Sequence, residues 1–95
     1  MAYSLTLSRR WTAQRWKVKI RDKERLEPPH VSVIRGTQTW RLGLRSEAFL
    51  DREPDPTEVP PDLVEEVLAN REELRTAWDE MYPENPVESE DDDER

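Results

Sequence analysis

The chain has 95 residues, 22 of them acidic and 15 basic, for a formal charge of −7. That length accommodates one small domain. The absence of Cys excludes disulfides, thiolate zinc sites, iron–sulfur clusters and thiol catalysis. It fits a reducing cytoplasm, where the protein is expected to reside. The charge is unevenly placed: residues 1–45 hold 11 Lys/Arg against 3 Asp/Glu, a net of +8, whereas residues 46–95 hold 4 against 19, a net of −15. Two glycines, Gly36 and Gly43, leave no phosphate-cradling glycine loop. No apolar run approaches the roughly 18 residues of a membrane span.

From the N-terminus, Ala2 to Leu7 alternates, with Tyr3, Leu5 and Leu7 on one side and Ser4 and Thr6 on the other. This is a short strand signal. Ser8-Arg9-Arg10-Trp11 has the letters of a twin-arginine export signal, but the stretch from Thr12 to Arg25 is polar and basic where an apolar region should follow. Arg15 to Arg21 alternates cleanly, Trp16, Val18 and Ile20 facing one way and Arg15, Lys17, Lys19 and Arg21 the other. Period two therefore predicts a strand with an apolar face and a cationic face. A charged loop over 22–29 ends in Pro28-Pro29, and His30 to Arg35 reads as a β-branched third strand. Gly36 supplies a turn into a fourth strand, Thr39 to Leu44, so strands three and four pair antiparallel.

Residues 45–50 are expected to form a single turn or an irregular edge, and the prolines between Asp51 and Pro61 make a loop. Leu63, Val64, Val67, Leu68, Leu74, Ala77, Trp78 and Met81 then recur at three- and four-residue steps. Their stripe predicts one helix from Asp62 to Tyr82, stopped by Pro83. The expectation is an α+β domain over 1–83: a mostly antiparallel four-stranded sheet packed against one long C-terminal helix. Residues 84–95, with seven acids and one Arg, are expected to be a disordered acidic tail.

Four stretches, taken together, resemble a family of small bacterial and archaeal proteins known only as a domain of unknown function. They are Trp16-Lys17-Val18-Lys19-Ile20, Glu27-Pro28-Pro29-His30-Val31-Ser32-Val33, Trp40 to Phe49, and Asn70-Arg71-Glu72-Glu73-Leu74 with Trp78. The resemblance spans residues 15–82. It implies a compact α+β domain encoded beside a second short protein, in a toxin–antitoxin-like arrangement. Where that family repeats a His two positions after the first, this chain has Ser32. A paired-histidine site is therefore not carried over.

The candidate sites are few. His30, the only His, is a weak catalytic candidate as an acid–base group; it is expected mainly to seat the Pro28-Pro29 corner. One His without Cys makes no metal site, and no cofactor is expected. The basic strand, Arg15, Lys17, Lys19 and Arg21, is the candidate surface for a protein partner or RNA. Arg9, Arg10, Lys23 and Arg25 extend its charge, and Trp11 and Trp16 are candidate stacking rings, with Trp16 expected rather in the core. The bland alternative is a solvated or internally paired face, which the acidic pI of about 4.8 favours over dedicated nucleic-acid binding. The expected function is thus a non-enzymatic interaction protein. The alternative is a small metal-independent ribonuclease-like toxin using His30, with Arg21 or Arg35 holding phosphate.

Overall fold

A computed structural model describes residues 3–21 and 27–87. Strands β1 (Tyr3–Leu5), β2 (Trp16–Ile20), β3 (His30–Arg35) and β4 (Gln38–Gly43) form one sheet in the order β1-β2-β3-β4, each neighbour antiparallel. Gly36, at φ +62°, makes the left-handed corner between β3 and β4 that other residues adopt reluctantly. Beyond β4 the chain doubles back. Gly43 N–H donates to the Ala48 carbonyl (2.8 Å), Leu50 N–H to that of Arg41 (2.8 Å), and Leu42 bridges Phe49, so the expected irregular edge is a short return along β4.

One sheet face carries the core. Leu5, Trp16, Val18, Ile20, Val31, Val33, Trp40 and Leu42 are all buried, as period two demands. The helices cover that face with Trp11, Leu63, Val67, Leu74, Ala77 and Trp78.

The one long C-terminal helix expected from the sequence is instead two shorter ones, α2 (Pro61–Ala69) and α3 (Arg71–Met81). Asn70 separates them at φ −106°, ψ 20°, and its Nδ2 donates to the Glu66 carbonyl (2.8 Å). Asn offers the backbone this local alternative to a continued helix. The stripe also has a gap at this point, since between Val67 and Leu74 the inward position falls on Asn70-Arg71. A four-residue helix, α1 (Arg9–Thr12), was not anticipated; it buries Trp11.

The packed unit continues past residue 83. Val87 is buried, its N–H bonded to Asp79 Oδ1 (2.8 Å) and its carbonyl to Arg45 Nε (2.7 Å). The boundary drawn at Pro83 therefore falls four residues short of the last packed side chain. Most of the 22–29 loop, with Lys23 and Arg25, and the acidic run 88–95 lie outside the described residues.

Candidate partner-binding face

Strand β2 builds the candidate surface. Its apolar side chains Trp16, Val18 and Ile20 are sunk in the core, which forces Lys17 and Lys19 onto the opposite face; Lys17 is exposed and Lys19 half-buried. Register then fixes their neighbours. Ser4 of β1 and Ser32 of β3 lie opposite Lys19, Ile34 lies opposite Lys17, and on β4 Arg41 pairs with Ser32 and Thr39 with Ile34. Arg21, one step past β2, reaches across to donate to Thr39 Oγ1 (3.3 Å). Arg15 precedes the strand in a left-handed turn at φ 73° and is exposed. Lys17, Lys19 and Arg21 thus share the open face, while Arg15 stands at its end.

Two halves of this face differ in charge balance. Arg41 on β4 is gripped by Asp51, with Nε to Oδ2 at 2.8 Å and Nη2 to Oδ1 at 2.6 Å, and by Glu27 Oε1 at 3.0 Å. Asp51 chiefly raises the Arg41 guanidinium above its ordinary range, and Arg41 in turn lowers the Asp51 carboxyl. Arg15, Lys17 and Lys19 make no ion pair among the described residues. The charge-rich halves of the chain meet at Arg41–Asp51 on this face and at Arg10–Asp62 (3.6 Å) away from it. Internal pairing therefore neutralises β4 and leaves β2 cationic.

The aromatic part of the surface is not there. Trp11, Trp16, Trp40 and Trp78 are each at most 2% exposed. Trp11 is held by its indole N–H on Glu66 Oε1 (3.0 Å), with the Arg10 guanidinium 4.3 Å over its ring. Arg35 lies 5.3 Å over the Trp16 ring rather than on the open face.

His30 is fully buried. Its Nδ1 lies 2.8 Å from the Pro28 carbonyl, which can only accept, so that nitrogen carries the proton. Nε2 is 3.7 Å from Glu27 Oε1, and the ring sits 5.5 Å from that of Trp78. These contacts tie the Pro28-Pro29 corner to α3. A group sealed this way cannot reach a substrate phosphate, and Arg35 lies away from it at the far end of β3.

Arg41 and the hydroxyls of Ser4 and Thr39 belong to the face although sequence reading did not name them, with Ser32 buried beneath its middle. They reach it through cross-strand register, and only a correct alignment of all four strands would have found them. Among the described residues no group of three His, Cys, Asp or Glu is placed to hold a metal ion. No helix among them is long and apolar enough to cross a membrane. No protein-family model matches the chain, and neither a curated protein nor a solved structure matches it.

Proposed function

We propose that this chain is a non-enzymatic cytoplasmic interaction protein that docks an acidic protein on the open face of β2, as one component of a toxin–antitoxin-like pair. The observation that carries the reading is the contrast between β2 and β4: among the described residues Lys17 and Lys19 have no carboxylate partner, whereas Arg41 has two. A cationic patch left unbalanced beside a balanced one favours an anionic partner and speeds its encounter. The paired-operon setting comes from the resemblance at Pro28-Pro29-His30 and Asn70-Arg71.

Two other readings lose support. RNA recognition through stacked bases needs accessible rings, and all four indoles are buried. A ribonuclease needs an accessible acid–base group, and His30 is sealed. The test is capture of the product of the neighbouring gene from the native host, together with metal-free incubation of the purified chain with RNA. An acidic partner released by raised salt, with RNA left intact, is expected. RNA cleavage abolished by His30→Ala would overturn the reading.

A further inference from the structure

The furrow between β1 and β2 has a composition more specific than a merely basic surface. β1 leaves the ladder after the Leu5–Val18 pair. Where the two chains part, a depression of about 340 Å³ opens, its polar lining drawn from Ser4, Thr6, Thr12, Lys17 and Lys19. A second depression of about 450 Å³ shares Thr12, Trp16 and Lys17 with it and adds Arg15. Among the described residues no carboxylate lines either one.

We infer that this furrow is a phosphoryl-group site, filled by a phosphorylated Ser or Thr side chain of the acidic partner. The inference rests on the docking role proposed above for the β2 face and names the group recognised there. Lys17 and Lys19 stand two residues apart on one strand, about 6.6 Å between Cα atoms. Ser4 lies directly across from Lys19, about 5 Å away. Ammonium and hydroxyl donors spread over that area match a group with three strong acceptor oxygens and a charge of roughly −1.5 to −2. A carboxylate has two oxygens and one charge, and would leave donors of the furrow unused.

Trp16 borders both depressions, but its side chain faces the core and its indole N–H is buried there, so the donors of the furrow are the Lys and hydroxyl groups. The source follows from what surrounds the site. Single-stranded nucleic acid is held by stacking its bases on exposed rings, and none of the four indoles is exposed. A small free anion gains little from a shallow open furrow. A phosphorylated side chain on a protein has the rest of its partner anchored along the sheet face.

The test is a titration of the full chain, followed by backbone and indole N–H NMR, at fixed ionic strength. The four probes are an acidic peptide with one phosphoserine, the same peptide with Glu in its place, inorganic phosphate, and oligouridylate. The phosphopeptide should bind at least tenfold tighter than the Glu peptide, with shifts centred on Ser4, Thr6, Lys17 and Lys19. Thr6→Val, at an exposed position, should reduce that advantage severalfold. Equal affinity for the two peptides overturns the phosphoryl site but leaves the docking face standing. Binding of neither peptide overturns the docking face itself. Inorganic phosphate binding as tightly as the phosphopeptide, or oligouridylate binding more tightly, would overturn the protein source.

Discussion

Glu66, on α2, accepts from both the backbone N–H of Ser8 (2.7 Å) and its hydroxyl (2.8 Å), 58 residues earlier in the chain. With Trp11 Nε1 as a third donor, this carboxylate joins the segment after β1 to the helical layer. The Ser8 N–H is the chief reason that the Glu66 carboxyl is held below its ordinary value of 4.5, with the Ser8 hydroxyl, Trp11 and Arg10 adding to it against some burial. A carboxyl lowered on folding stabilises the native state above its unfolded value, and that stabilisation is lost as pH falls through the folded value. Glu66→Gln should therefore lower stability at pH 7 by about 1 kcal/mol. Acid unfolding followed by circular dichroism should show a shallower loss of stability below pH 4.5 in the variant than in the parent.

His30 should behave as a structural residue. His30→Ala removes the Pro28 hydrogen bond and the packing against Trp78. A cost of about 2–4 kcal/mol is expected from the cavity and the lost bond together. Thermal denaturation measures it. Binding of an acidic peptide, expressed per folded molecule, should remain at the parent level.

The end of the packed unit can be located by truncation. A chain ending after Val87 keeps the Val87–Asp79 and Val87–Arg45 hydrogen bonds and the Trp78 indole bond to the Asn85 carbonyl (2.6 Å). A chain ending after Pro83 loses all three and uncovers Trp78. The shorter chain should melt at least about 10 °C below the longer one, since a loss of about 2 kcal/mol shifts a domain of this size by 8–16 °C. Equal melting temperatures would show that the Asn85–Val87 segment adds nothing to the fold.

Much of the sheet was legible because its signals are local. β3 occupies the residues expected of it, His30–Arg35, since Pro28-Pro29 enforces extension before it and Gly36 the turn after it. β2 follows from a strict alternation that tolerates only one facing. The helical break was hidden because Val67 and Leu74 remain in phase on the stripe, leaving Asn70-Arg71 as the sole hint. α1 was invisible for another reason: four residues carry no period, and their anchor, Glu66, lies far along the chain. The charge balance of the face was equally long-range. Nothing near Arg41 in sequence foretells that the return after β4 brings Asp51 onto it, or that Glu27 reaches it from the start of β3. The cationic residues of β2 were found from pattern alone. That they share a face with a neutralised strand one position further along the sheet required the fold.

The central claim is that the β2 cations, which have no carboxylate partner among the described residues, hold an acidic partner, and the most direct measurement is affinity against salt. The dissociation constant of a poly-glutamate peptide should be measured between 50 and 500 mM NaCl for the parent chain and for the Lys17→Gln/Lys19→Gln double variant, whose stability should stay within about 0.5 kcal/mol of the parent. Screening should weaken parent binding by roughly tenfold across that range. At low salt the double variant should bind roughly tenfold more weakly than the parent, with a flatter salt dependence. Parent affinity that is independent of salt, or a double variant that binds as the parent does, would contradict the account.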